Sequence, residues 1–173
     1  MAKIRVEPSD QELFELAERV GKALKVAKRT AVTAESCTGG WVAKVLTDVA
    51  GSSAWFERGF VTYSNEAKME NLGVSARVLK AQGAVSEETA RQMARGALRA
   101  TGASVAVAIT GIAGPDGGTK EKPVGLVWFG IATRVGRMVE VDAQRKRFDG
   151  DREAVRRQSV EQALKMVLRV SGR

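Results

Sequence analysis

Apolar positions recur with two periods along the chain, and the switches between them mark its elements. Leu13, Leu16, Ala17, Val20, Leu24 and Ala27 repeat at helical spacing behind the capping box Ser9-Asp10-Gln11-Glu12. They predict a first helix running to about Lys28. Ala31-Val32 reads as the end of a buried strand, and Trp41 to Leu46 as a helix that Gly51-Ser52-Ser53 closes. Trp55 to Tyr63 is rich in β-formers and predicts a strand. Ser64 or Asn65 then caps a short helix carrying Lys68 and Leu72, stopped by Gly73. A small helix follows at about Ser75 to Ala81. Ser86-Glu87-Glu88 opens another, with Ala90, Met93, Ala94, Ala97 and Leu98 on one face and Gly102 at its end.

The continuous apolar run Ser104 to Ile109 predicts a central strand buried on both faces. Thr110 to Pro123 is rich in glycine and proline and predicts a long loop. Val124 to Thr133 reads as a second buried strand. Val135-Gly136 turns it into Met138 to Phe148, where Val139, Val141 and Ala143 alternate with polar residues, giving a hairpin. Asp149 or Asp151 caps the last helix. Strands alternating with helices, plus one hairpin, predict an α/β fold: a single domain over residues 1–173, core about 9–170, with a mixed sheet covered by helices on both faces.

Composition narrows the function. The 173 residues are 44% hydrophobic and 28% charged, as in soluble globular proteins. No apolar run reaches the length of a membrane span, and the start Met-Ala-Lys-Ile-Arg-Val-Glu-Pro lacks a signal-peptide core. The single cysteine excludes an internal disulfide, so a cytoplasmic location is expected. There is no histidine. That removes serine–histidine and cysteine–histidine catalysis and the usual zinc sites. Any serine or cysteine nucleophile must be activated by lysine, tyrosine, a carboxylate or a helix terminus. The net charge of +8 suits an anionic partner. Aromatics, at 5%, are not interleaved with the late basic cluster Arg145, Lys146, Arg147, Arg152, Arg156 and Arg157, which argues against base stacking on single strands.

Two segments then stand out. Thr33-Ala34-Glu35-Ser36-Cys37-Thr38-Gly39-Gly40 sits at a strand-to-helix turn, where a serine can be exposed beside the N–H groups of a helix start. The plainer reading is that Ser36 and Thr38 cap the helix and the glycines allow close packing. The Thr110 loop also follows a strand. If the two strands are parallel neighbours, both segments share the carboxyl edge of the sheet. Tyr63 and Lys68 lie at the end of a third strand and on the next helix. Lysine is a plausible base if burial lowers its pKa, and the tyrosine a proton relay. Cys37 remains an alternative nucleophile.

Ala34 to Gly40, Phe60 to Asn65, Gly83-Ala84-Val85-Ser86, Thr110 to Pro115, Lys122-Pro123-Val124-Gly125 and Gly150-Asp151-Arg152 together resemble the CinA C-terminal domain family. The resemblance runs from about Leu13 to Leu168 and is closest to the stand-alone amidohydrolases of that family. It implies hydrolysis of nicotinamide mononucleotide to nicotinate mononucleotide and ammonia, in pyridine-nucleotide salvage. It also implies a serine nucleophile with a lysine, without metal or cofactor. Ser36 and Lys68 match those two residues. Tyr63 is expected to assist them. Cys37, Thr38, Gly39, Gly40, Thr110 and Gly111 are expected to form the substrate pocket, and Arg152 to hold the phosphate unless it serves only in a surface ion pair. The amino-terminal pyrophosphatase-like domain of the longer family members has no counterpart here, so that activity is not expected. The partner expected is the small-molecule substrate; no membrane or nucleic acid is expected, and a homo-oligomer is compatible with the sequence. The competing reading is a basic module that binds nucleic acid or a DNA-processing partner.

Overall fold

A computed structural model gives the fold, and the structure describes residues 7–172. The start of the chain, Met1 to Val6, read above as lacking a signal peptide, lies outside the described residues. The elements follow in the order α1 (Asp10–Val26), β1 (Ala31–Glu35), α2 (Trp41–Thr47), a 3-10 turn (Ser52–Ala54), β2 (Phe56–Val61), α3 (Asn65–Leu72), α4 (Ala76–Gln82), α5 (Glu87–Arg99), β3 (Val105–Gly111), β4 (Leu126–Val135), β5 (Met138–Arg147) and α6 (Arg152–Ser171).

The five strands form one sheet in the order β2-β1-β3-β4-β5. β1 runs parallel to both β2 and β3, and β4 pairs antiparallel with both β3 and β5. Helices α1, α2 and α6 pack on one face, and α3, α4 and α5 on the other. β1 and β3 are buried along nearly their whole length, which is why β3 reads as a continuous apolar run. β5 closes one edge and is mostly exposed, with only Val141, Ala143 and Gln144 partly covered.

Local signals account for the helix starts. Ser9 and Glu12 form the capping box of α1, Ser64 caps α3, Ser86 caps α5 and Asp151 caps α6. Several boundaries differ from the sequence reading: β2 ends at Val61 rather than Tyr63, and β4 spans Leu126–Val135 rather than Val124–Thr133. β1 extends to Glu35, because Thr33 and Glu35 keep pairing with both neighbours. β3 continues through Thr110 and Gly111, which pair with Trp128 and Val127, so these two residues belong to the sheet and the loop starts at Ile112.

Two close approaches set α5, and through it α3, against the sheet. A Cβ on Gly130 of β4 would lie 2.1 Å from the Ala90 carbonyl oxygen of α5. One on Gly96 of α5 would lie 1.8 Å from the Leu72 carbonyl oxygen at the end of α3. Glycine is required at both places for want of space. At the outer edge the β1–β2 ladder contains a bulge: Ala31 pairs with Phe56 and Val32 with Arg58, so Glu57 has no counterpart.

Candidate active site

The parallel run β2-β1-β3 brings three strand ends to one edge of the sheet. Ser36 follows β1, Thr62 and Tyr63 follow β2, and Gly111 ends β3. The Ser36 N–H is itself bonded to the Ile109 carbonyl at 3.0 Å, which stitches the turn to β3.

Lys68 comes from the first turns of α3 and is 1% exposed. Its Nζ lies 3.1 Å from Ser36 Oγ, 2.7 Å from the Thr62 carbonyl oxygen and 3.2 Å from that of Tyr63. Burial lowers its pKa from the ordinary value of 10.5, because the ammonium form loses its hydration. The Ser64 carbonyl oxygen lies at 3.5 Å, so Nζ faces three carbonyls and the serine oxygen, and loss of one proton would turn its lone pair to the Ser36 hydroxyl.

Glu35 is the residue the sequence reading passed over. It is fully buried at the end of β1. One carboxylate oxygen accepts from Thr38 Oγ1 at 2.7 Å and from the Val42 N–H at 2.9 Å; the other accepts from the Ala43 N–H at 3.0 Å. Burial pushes its pKa up, partly offset by these donors. α2 begins at Gly40 in a left-handed conformation with no side-chain cap of its own. Glu35 therefore takes the place that Ser36 or Thr38 was expected to fill, satisfying the helix start from the strand behind it. The available signal was an acidic residue closing a buried strand seven positions before a helical N–H.

The other expected residues divide into those at the centre and those around it. Cys37 is buried, and burial pushes its thiol up to about 12, which leaves almost no thiolate near neutrality. Thr38 serves Glu35. Gly39 and Gly40 take positive φ angles of 62° and 96°, the turn that lets the chain enter α2. The Thr110 hydroxyl donates to the Ala84 carbonyl at 2.9 Å and is buried. A Cβ on Gly111 would meet Val127 Cγ2 at 2.7 Å, so its glycine answers to strand pairing.

Tyr63 is 62% exposed and turns its ring outward. Its carbonyl contacts Lys68, whereas its hydroxyl accepts from Arg152 Nη2 at 3.2 Å. The structure therefore does not place the phenol on Lys68 or Ser36. Arg152, in the first turn of α6, also donates from Nη1 to the Gly114 carbonyl at 2.8 Å, linking Tyr63 to the glycine loop. Among the described residues it has no acidic partner.

The late basic cluster splits up in space. Arg145, Lys146 and Arg147 line a separate cavity of about 290 Å³ with Pro123 and Leu126. Arg157 pairs with Asp10 and Glu153. Arg156 donates to the carbonyls of Cys37 and Thr38 at 3.1 and 3.2 Å. Among the described residues no group of three or more metal-ligating side chains occurs, and no helix there is long and apolar enough to cross a membrane.

Known proteins resemble both sequence and fold. The chain is 60% identical over 156 residues to the nicotinamide-nucleotide amidohydrolase PncC of Escherichia coli K12, covering 90% of this chain and 93% of that protein. It is 51% identical over 157 residues to the protein of the same name from Pseudomonas putida, covering 90% and 94%. A crystal structure of a competence/damage inducible protein from Agrobacterium tumefaciens superposes with a TM-score of 0.87 at 46% identity, covering 96% of this chain and 98% of that one. The CinA C-terminal domain matches residues 13–171. With these relatives and that match across almost its whole described length, the chain belongs to the CinA C-terminal domain family.

Proposed function

We propose that this protein hydrolyses the carboxamide of nicotinamide mononucleotide, giving nicotinate mononucleotide and ammonia in pyridine-nucleotide salvage. The substrate class is supported by the amidohydrolase names of relatives up to 60% identical. The chemistry rests on one observation, the buried Lys68 Nζ held 3.1 Å from Ser36 Oγ at the carboxyl edge of the sheet.

Neutral Lys68 takes the Ser36 hydroxyl proton as Oγ attacks the carboxamide carbon. The carbonyl oxygen becomes an oxyanion, received by backbone N–H groups that follow Ser36. The C–N bond breaks, Lys68 returns the proton to the leaving nitrogen, and ammonia departs. Water then gives its proton to Lys68 and attacks the acyl-serine, releasing the nicotinate product and restoring the Ser36 hydroxyl. Tyr63 contributes its carbonyl to the lysine cage and its phenol to Arg152. Arg152 keeps further N–H groups for the phosphate, at the start of α6 where the helix dipole also attracts an anion.

Ammonia release from nicotinamide mononucleotide, measured beside nicotinamide and nicotinamide riboside, tests the substrate. Silence on all three would reject the proposal. Ser36→Ala should abolish turnover with the fold intact, and Cys37→Ala should keep most of it. The reverse order of effects would transfer the nucleophile to Cys37.

A further inference from the structure

We infer that Arg156 is a positioning residue for the oxyanion donors: by holding the Cys37 and Thr38 carbonyls toward α6, it turns the Thr38 N–H toward the face where Ser36 meets Lys68. The inference rests on the serine reading above and adds a residue to it.

The argument starts from peptide geometry. In a trans peptide the C=O and the following N–H point in opposite directions. Arg156 Nε donates to the Cys37 carbonyl at 3.1 Å, and Nη2 to the Thr38 carbonyl at 3.2 Å. Arg156 belongs to α6, on the face opposite α3 and α5. Fixing the Cys37 carbonyl toward α6 therefore aims the Thr38 N–H away from it. Ser36 lies on that other side, since its hydroxyl reaches Lys68 of α3. The Thr38 N–H has no acceptor among the described residues, whereas the next N–H, of Gly39, is bonded to the Ser36 carbonyl at 3.0 Å.

Arg156 is itself built in. It is half-buried, has no acidic partner among the described residues, and lies 5.3 Å from the centroid of the Trp41 ring. A planar fork stacked on an aromatic face and spent on two carbonyls of one turn is suited to orienting that turn. A rigid donor aimed before the charge develops is what stabilises an oxyanion.

The test compares Arg156→Gln with the wild type on nicotinamide mononucleotide, with Ser36→Ala in parallel. The glutamine variant should lose about ten- to a hundredfold in kcat, below the loss of a whole oxyanion donor, with KM nearly unchanged. The decisive readout is binding of pyridine-3-carboxaldehyde mononucleotide, whose carbonyl carbon bonds to Ser36 Oγ while its oxygen becomes the oxyanion. Arg156→Gln should weaken that adduct by about the factor lost in kcat, and leave binding of the product, nicotinate mononucleotide, little changed. An unchanged kcat overturns the inference, as do equal losses of aldehyde and product binding or a rise in KM alone. If the glutamine variant does not fold, Arg156→Lys, which keeps the charge but loses the fork, is read in the same way. An active Ser36→Ala overturns the nucleophile and the inference with it; an inactive Ser36→Ala beside a fully active Arg156→Gln overturns the inference alone.

Discussion

Lys68 concentrates the chemistry of the site into one amine that must be neutral while buried among carbonyls. Its pKa lies below 10.5 when folded and near that value when unfolded, because burial penalises the ammonium. The deamidation rate should therefore rise with pH through a limb centred below 10.5. A limb at or above that value would remove Lys68 as the base. Stability carries the matching sign: Lys68 costs nothing above its unfolded pKa, its cost grows as pH falls from there to the folded value, and below the folded value the cost is complete. Lys68→Met should thus gain in stability against the wild type on the acid side of that window, yet lose at least about a hundredfold in rate. Lys68→Arg should not restore activity, since arginine stays protonated. Arg152 acts at the other end of the substrate. Arg152→Ala should raise KM for the mononucleotide roughly ten- to a hundredfold, a contact of about 1.5–3 kcal/mol, and hardly alter the weaker turnover of the riboside, which lacks the phosphate. Equal losses on both would assign Arg152 to holding Tyr63 and Gly114 in place. The meeting of Ser36 and Lys68 was legible because Ser36 stands in the long motif Ala34 to Gly40 and Lys68 shortly follows Phe60 to Asn65. Glu35 and Arg156 were not, because their partners are backbone groups of a helix start and a turn, which no residue pattern displays.

At the level of elements, capping residues and apolar periods foretold nearly every helix. At the ends of β1 and β3, pairing overrode local preference. Thr110-Gly111 looks like the opening of a loop, but the ladder with Trp128 and Val127 holds it in β3. The packing of α3 on α5 gives a sharper case. Replacing a helical glycine by alanine ordinarily stabilises by about 1 kcal/mol. At Gly96 the added methyl would meet the Leu72 carbonyl oxygen at 1.8 Å, and backbone cannot swing aside as a side chain does. Gly96→Ala should lower the melting temperature, the overpacking costing about 1–3 kcal/mol. It should also slow turnover, since α3 carries Lys68. A melting temperature equal to or above that of the wild type would show that the helices separate at no cost.

Over the whole molecule, the alternation of strands and helices was enough to foresee a mixed sheet covered on both faces. The strand order was not foreseeable, because nothing in the sequence says which buried run lies beside which. That order assembles the site from three separate strand ends. It also makes the bulge at Glu57 more than a local irregularity. From Val32 to Glu35 the pairing with Arg58, Gly59, Phe60 and Val61 proceeds without reference to the unmatched residue. Chain length is therefore free to vary at position 57 and is fixed beyond it. Deleting Glu57 should leave a deamidase whose rate is close to that of the parent, judged by ammonia release. Inserting one glycine between Arg58 and Phe60 should slide the rest of β2 by about 3.3 Å and reverse its faces, carrying Lys68 out of reach of Ser36. Two changes of a single residue, close together on one strand, should thus have opposite fates, and a relative of different length should place its gap between Phe56 and Arg58.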